Sequence, residues 1–183
     1  GCRAAPILWT TFTHQMFESL AQKVGIQWIK RTVTIFADDI HAGTIFRSEI
    51  ELMQALVKFG ILLDVIEQHG LKISLAKSVL LLNIGGTNCR SLQQRIVQKG
   101  SDGFYVNIPR GDGSHSRLPV QNTACYLGVQ MSYNMQENLT LQHRLNAARI
   151  AFSRLRKWLC ARDIHQRTKL RLWKSCIYST LTY

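Results

Sequence analysis

The sequence predicts an α+β fold in which an antiparallel sheet with packed helices is followed by a basic helical segment. Three observations lead to this expectation. Apolar residues repeat at helical spacing in long segments, short β-rich runs lie between them, and the charge balance changes sharply after residue 136. With 183 residues and 46% hydrophobic content, the chain is long enough to bury one sizeable core.

The first elements are a helix and a hairpin. A first-turn proline and a closing glycine bound a predicted helix over residues 6–24. The run 28–36 is rich in β-branched and aromatic residues and predicts a strand, and a short return strand is predicted over 40–43. The dipeptide Asp38-Asp39 lies between these strands, so we expect both carboxylates at a hairpin tip.

A longer helix and more strands follow. Apolar residues three and four apart predict a helix over 47–69, which Gly70 would end. The apolar run 79–84 predicts a buried strand, and FYVNIP and SRLPV predict two strands around the Gly-rich turn 110–113. Residues 123–132 predict one more strand.

The last quarter of the chain predicts two amphipathic helices, from about residue 140 and over 164–181. We therefore place a domain boundary near residue 137, with one domain over 1–136 and a second over 137–183. The inward-facing positions are expected to be Leu141, Leu145, Ala148, Phe152, Leu155 and Leu159 in the first helix and Leu170, Trp173, Ile177 and Leu181 in the second.

The charge of the chain predicts a polyanionic partner. Lys and Arg number 23 against 11 Asp and Glu, a net charge of +12. Such an excess indicates nucleic acid or an anionic membrane surface, although a basic chain without such a partner is the alternative. No apolar run approaches the ~18 residues of a membrane span, so no membrane partner is expected. The candidate nucleic-acid contacts on the first of these helices are Arg144, Arg149, Arg154, Arg156 and Lys157.

The five cysteines are scattered through the chain and form no CxxC pair. No histidine lies at zinc-ligand spacing from them, so a structural zinc site is not expected. This pattern is typical of reduced thiols and predicts an intracellular protein.

The adjacent aspartates admit two interpretations. Taken alone, an Asp pair at a hairpin tip is more often a solvated turn. The alternative is a metal site, because Mg²⁺ prefers hard oxygen ligands and is often bound by one or two carboxylates with water and substrate phosphates. Two such ions can stabilise the attacking and the leaving oxygen of a phosphoryl transfer. A basic chain that also binds a polyanion suits this second interpretation.

Four motifs occur in one order along the chain: GCRAAP (1–6), FADD (36–39), GLKISLAKS (70–78) and YLG (126–128). This succession resembles the reverse transcriptases, most closely those of non-LTR (LINE-type) retrotransposons and the related group II intron enzymes. GCRAAP is similar to the end of the QGxxxSP motif, FADD to the [FY]xDD box, GLKISLAKS to GLxxNxxK, and YLG to the primer grip.

The resemblance implies a partial polymerase palm followed by the start of a helical thumb. It implies an RNA-directed DNA polymerase that uses two-metal nucleotidyl transfer with Mg²⁺, or Mn²⁺ in its place. The partners it implies are an RNA template, a DNA primer and deoxynucleoside triphosphates, and the site of action would be nuclear. No oligomeric state is predicted.

The resemblance also assigns roles to residues of the palm. Asp38 would be a catalytic metal ligand, and Asp39 either shares that role or only shapes the turn. Phe36 would lie beneath the primer terminus, unless it is a core aromatic. Lys77 would act on the pyrophosphate, or is a solvated loop lysine.

Further roles follow at the two ends of the motif series. Gly1 and Pro6 would lie near the incoming nucleotide and template, although a proline that merely starts a helix looks the same. Tyr126, Leu127 and Gly128 would form the primer grip; outside this context they would be an ordinary strand and turn.

The chain departs from the family pattern in two ways. Arg3, Ala4 and Ala5 stand where the family has other residues before the proline, and Ser74 stands where it often has Asn. The family also needs a further aspartate on a strand before the QG loop. We find no counterpart for it among Asp64, Asp102, Asp112 and Asp163, so we expect a fragment of the enzyme that is inactive alone. The alternatives are a non-catalytic RNA- or DNA-binding remnant and an RNA-dependent RNA polymerase.

Overall fold

A computed structural model describes residues 4–134 and 136–182 of the chain. It confirms a mixed fold, 54% helical and 20% strand. The chain forms two compact units, the first made of residues 1–80 and 84–120 and the second of 81–83 and 121–183. The predicted boundary near residue 137, between a domain over 1–136 and a second over 137–183, stays a prediction. None of the described helices is long and apolar enough to cross a membrane.

Three helices and a hairpin form the main body of the first unit. They are α1 (Ala5–Val24), α2 (Ile26–Thr32), β1 (Val33–Phe36), β2 (Asp39–Ala42) and α3 (Glu49–Gln68). Helix α1 ends as expected at Gly25, whose φ of 86° suits a glycine. Helix α3 begins at Ser48, whose side chain accepts a hydrogen bond from the Glu51 amide. Gly70 follows its last turn with φ 83°, as expected for a helix end.

The strand predicted over 28–36 is wrong for its first half, because residues 26–32 are helical. The β-rich composition is overridden by packing. Ile29 and Thr32 are both buried, three residues apart, which is helical and not strand spacing. The Trp28 ring lies 6.0 Å from the Phe59 ring on α3. A helix therefore buries Ile29 and Thr32 on one side, and α2 packs mainly on α1.

The core of the first unit lies between α1, α2, α3 and one face of the hairpin. Its buried members are Met16, Leu20, Ile29, Leu62, Val65 and Ile66. The hairpin packs against them through Val33, Ile35, Ile40 and Ala42. Because side chains alternate along a strand, the other face of the hairpin points away from this core.

The first unit also contains an antiparallel sheet. Its strands are β4 (Val97–Gly100), β5 (Gly103–Pro109) and β6 (His115–Gln121), preceded by α4 (Cys89–Ile96), with β3 (Leu80–Leu81) beside β6. The predicted pair of strands around the Gly-rich turn is confirmed, whereas the predicted strand 79–84 is only two residues long.

Helix α3 packs very closely on β5. A Cβ atom at Gly60 would lie 1.8 Å from the carbonyl oxygen of Pro109. Val106 and Ile108 are fully buried within the first unit. The small residue at position 60 is therefore what allows the helix to reach the strand.

Arg110 ties the turn after β5 to α3. Its Nε donates to Asp64 Oδ1 at 2.5 Å, and its other nitrogens donate to Glu67 and Ser116. The Gly111 amide donates to the second oxygen of Asp64 at 2.8 Å. Burial of the Arg110 guanidinium lowers its pKa, but the hydrogen bonds and charges of Asp64 and Glu67 outweigh burial and raise the pKa above its ordinary value.

The second unit contains a hairpin and a series of helices. Its elements are β7 (Thr123–Tyr126), β8 (Val129–Ser132), α5 (Gln136–Cys160), α6 (Gln166–Trp173), a π-helical turn (Lys174–Tyr178) and α7 (Ser179–Thr182). The single strand predicted over 123–132 is wrong: Leu127 and Gly128, with φ of 48° and 76°, turn the chain back. Positive φ at both central residues is typical of a tight hairpin turn.

The predicted apolar faces of these helices are only partly correct. Ala148, Leu155 and Leu159 face inward on α5, but Leu141, Leu145 and Phe152 are exposed. Helix α5 packs against β8, the π-helical turn and α7, and its alanines at 147, 148 and 151 are buried or half-buried. Alanine side chains are small and let neighbouring elements approach the helix closely, but they add little to the hydrophobic pattern. The pattern alone therefore predicted the wrong inward face for α5.

The second predicted helix has a similar correction. Ile177 is buried and Leu181 is half-buried, as expected, whereas Leu170 and Trp173 are exposed. The π-helical turn changes the angular spacing of residues along the helix. A face extrapolated at α-helical spacing from one side of this turn therefore cannot match the face on the other side.

Candidate functional site

The β1–β2 hairpin presents both aspartates at its tip. Phe36 pairs with Asp39 across the strands, so the turn consists of Ala37 and Asp38 alone. Ala37 has φ 52°, in the left-handed region that costs a non-glycine residue roughly 1 kcal/mol. Asp38 is thus held in a tight turn, and Asp39 is the first residue of a strand. Both side chains are exposed.

The outward face of the hairpin joins an aromatic ring to the acids. Phe36 pairs with Asp39 and Thr34 pairs with His41, and paired residues of antiparallel strands project to the same face. Phe36 is 61% exposed, which argues against its being a core aromatic. The tip therefore combines carboxylate oxygens with a flat apolar surface.

The chemistry of this tip fits an open site for a hard cation. Two adjacent, exposed carboxylates supply oxygen ligands, and Mg²⁺ commonly takes one or two carboxylates and completes its shell with water and phosphates. Within residues 4–134 and 136–182, no group of three or more His, Cys, Asp or Glu could hold a metal ion. Asp38 and Asp39 are therefore candidate ligands that have no third protein ligand grouped with them among the described residues.

The remaining predicted palm residues lie on other segments. Lys77 is exposed in a turn over 75–77, where its amide donates to the Ser74 carbonyl at 3.0 Å. Pro6 lies in the first turn of α1 and is exposed, so it does start a helix. Gly1 lies outside the described residues.

The predicted primer-grip residues occupy the β7–β8 hairpin. Tyr126 ends β7 and is half-buried, whereas Leu127 at the turn is 42% exposed. Gly128 lines a surface cavity of about 350 Å³ in the second unit together with Arg144 and other residues of α5 and α7. The structure thus brings one residue of the predicted grip, Gly128, and one of the predicted basic residues, Arg144, to the same cavity.

Arg144 differs from the other basic residues of α5. Its Nε atom is buried and has no hydrogen-bond partner among the described atoms. The other four predicted contacts are exposed: Arg149, Arg154, Arg156 and Lys157. A solvated basic face therefore exists on α5, but Arg144 points away from it and toward the cavity.

Some residues at these sites were missed by the sequence reading. His41 shares the outward face with Asp39, and strand alternation from Phe36 could have indicated it. His143, Ser179 and Thr180 line the cavity beside Gly128. No sequence signal indicated this set, because the cavity depends on how α7 packs on α5.

Comparison with known proteins agrees with the motifs. A family model described as reverse transcriptase (RNA-dependent DNA polymerase) matches residues 1–131, well over half of the chain. No curated protein and no solved structure matches it. The matched region includes the carboxylate tip of the β1–β2 hairpin and Tyr126-Leu127-Gly128 of the β7–β8 hairpin. The chain belongs to the reverse transcriptase (RNA-dependent DNA polymerase) family.

Proposed function

We propose that the chain is part of an RNA-directed DNA polymerase of a LINE-type retrotransposon, and that Asp38 is a metal ligand of its nucleotidyl-transfer site. The observation that carries this proposal is the β1–β2 tip, where Asp38 sits in a two-residue turn beside an exposed Phe36. A solvated polar turn would not need an exposed phenyl ring next to it, since exposing that ring forgoes the free energy of its burial.

The residues of the chain divide the work of the reaction. A divalent ion held by Asp38 and Asp39 would supply Lewis-acid stabilisation of the charge that develops during phosphoryl transfer. The exposed Phe36 ring supports the primer terminus from below and restricts where its 3′ oxygen can lie. Lys77 carries a mobile positive charge suited to the leaving pyrophosphate.

The substrate duplex is held by the second unit. The outward cations of α5 lie within reach of successive phosphates, and the hairpin containing Gly128 holds the primer strand. Such contacts fix position without reading sequence. The affinity that they provide falls as the salt concentration rises, because releasing counterions from the nucleic acid is then less favourable. This arrangement suits a polymerase, which must accept any template.

The test of the proposal is primer extension by a longer chain that continues upstream of Gly1. Asp38→Asn should abolish extension, because an amide oxygen without charge binds Mg²⁺ poorly. Asp102→Asn is the matched control, since it removes an exposed turn carboxylate of the same unit. Asp38→Asn extending primers like the control would refute the assignment. Use of ribonucleotides in preference to deoxyribonucleotides would instead indicate an RNA polymerase.

A non-catalytic RNA-binding remnant is the second candidate. It is favoured by the exposed cations of α5, which can bind a phosphate backbone without any metal site. It predicts salt-sensitive RNA binding by the 183-residue chain, together with no Mg²⁺-dependent incorporation in the longer chain. Absence of RNA binding at low salt would eliminate this candidate.

A further inference from the structure

An exposed pair of aromatic rings lies at the two ends of the π-helical turn of the second unit: Trp173 precedes the turn and Tyr178 is its last residue. The Trp173 and Tyr178 ring centroids are 5.5 Å apart with an interplanar angle of 31°. Trp173 is 38% exposed and Tyr178 is 49% exposed. Other large apolar side chains of this unit are exposed too, Phe152 and Leu170 among them, so the contact between two flat rings is what distinguishes this pair.

The π-helical turn is what brings the rings together. The Ser179 amide donates to the Lys174 carbonyl, five residues earlier. In an α-helix, residues five apart are separated by about 1.4 turns and point to different sides. The wider turn places residues 173 and 178 nearly above one another. Such turns often occur at functional sites.

The charge around the pair identifies the kind of partner. Lys169 lies one helical turn before Trp173 and so shares its side of α6, and Lys174 follows Trp173 directly. Between residues 141 and 175 the chain has ten Lys and Arg and a single acid, Asp163. Flat aromatic faces among cations complement the bases and phosphates of nucleic acid. An apolar protein partner would gain nothing from these charges.

We propose that Trp173 and Tyr178 form a stacking site for an unpaired nucleotide of single-stranded nucleic acid. This inference rests on the nucleic-acid binding contained in the proposed function but adds a contact that a closed duplex cannot make, because its base faces are already stacked. The 5.5 Å separation leaves no room for a base between the rings. The base therefore stacks on the outward face of the pair, and the neighbouring lysines contact the adjoining phosphates.

The experiment compares two probes on the 183-residue chain by fluorescence anisotropy. One is a labelled oligothymidylate of about 12 nucleotides, within the site sizes typical of single-strand binding, and the other is a duplex closed at both ends by non-nucleotide linkers, which has no unpaired base and no open end. Trp173→Ala and Tyr178→Ala should each weaken oligothymidylate binding about tenfold and leave duplex affinity unchanged. Tyr178→Phe, which keeps the ring, should bind like the unsubstituted chain. Circular dichroism establishes that each variant folds.

The matched control is Trp158→Ala, which removes an indole that is 58% exposed on α5 of the same unit. If Trp173→Ala weakens oligothymidylate binding no more than this control, the stacking site is wrong, while duplex binding still stands. Equal losses on both probes, or a change of oligomeric state on sedimentation, would likewise overturn the site in favour of a phosphate contact or a subunit interface. Failure of the unsubstituted chain to bind either probe would overturn the nucleic-acid role as well.

Discussion

The two units of the molecule differ in what they bury and what they display. Of the buried hydrophobic residues that the structure describes, eleven lie in the first unit and two, Ala148 and Ile177, in the second. The second unit instead has ten Lys and Arg against two acids, whereas the first has thirteen against nine. Packing therefore dominates the first unit, and surface charge dominates the second.

This difference matches a division of labour in the proposed polymerase. A carboxylate tip that positions reacting groups needs a rigid support, and the β1–β2 hairpin is packed against a dense core. A surface that holds a phosphate backbone needs charge more than rigid placement. Substitutions in the first unit should thus change stability, and substitutions on the outer face of the second should change salt-dependent binding.

The largest effect on stability is expected at the contact between α3 and β5. Gly60→Ala places a methyl group against the Pro109 carbonyl, so we expect a loss of about 3 kcal/mol in unfolding free energy. A Gly→Ala substitution within a helix normally stabilises the protein by about 1 kcal/mol, so a loss of stability here would indicate the clash with Pro109. Gly85→Ala, where nothing lies within 4 Å of the added Cβ, is the control in urea denaturation. Equal urea midpoints for the two variants would contradict the close packing of α3 on β5.

The next effect concerns the outer face of α5. Replacing its four exposed cations by Gln should weaken duplex binding on the order of a hundredfold at low salt and reduce the slope of log K against log salt by about 3. Stability should change little. The residues are Arg149, Arg154, Arg156 and Lys157.

The matched control for this charge variant removes four exposed cations from the first unit. They are Lys30, Arg47, Arg90 and Lys99. The net charge falls by the same amount in both variants. If the control variant changes the slope of log K against log salt less than the α5 variant does, the phosphate contacts lie on α5. Equal slopes in both variants would mean that only net charge matters.

Arg110 provides a smaller test of the first unit's packing. Its side chain is 9% exposed and pairs with Asp64, which is 16% exposed. Arg110→Met should cost about 2 kcal/mol of unfolding free energy, because it leaves a poorly solvated carboxylate without its partner. Arg95→Met breaks the 2.7 Å pair with Glu49, where both side chains are about half exposed, and should cost less than about 1 kcal/mol. Similar thermal melts of the two variants would contradict the difference.

The smallest effect is expected at Asp112 in the turn after β5. Its carboxylate accepts a hydrogen bond from the Ser114 amide at 2.9 Å, and hydrogen bonding to Ser114 lowers its pKa. A carboxyl group whose pKa is lowered in the folded state stabilises the fold at pH values above its ordinary pKa of about 3.9. That stabilisation is lost as the pH falls below this value. Asp112→Ala should therefore lower Tm slightly at pH 7 and not at acid pH. A difference that grew in acid would contradict this sign.

The sequence was sufficient where local pattern and tertiary packing agree. Helices α1 and α3 followed from their apolar spacing, and the acids at a hairpin tip followed from alternation around FADD. The assignment to a polymerase family came from four motifs in order, and the family match agrees with it. None of these features depends on contacts between distant segments.

The sequence was insufficient where distant contacts decide. Residues 26–32 are helical because Ile29 is buried in a core formed with α1 and α3. Arg110 pairs with Asp64, forty-six residues away. The inward face of α5 is set by alanines that carry little hydrophobic signal. The π-helical turn that joins Trp173 to Tyr178 has no signature in the spacing of apolar residues.

The most direct test of the central claim is single-turnover nucleotide incorporation by the upstream-extended chain with Asp38→Asn, at saturating template–primer. Asp38 should serve the chemistry alone, so the rate should fall at least about a thousandfold, equivalent to the several kcal/mol that a bound metal contributes. Duplex affinity, measured on the same preparation, should be unchanged. A rate within about threefold of the rate of the unsubstituted enzyme, a difference of less than about 1 kcal/mol in activation free energy, would contradict the account.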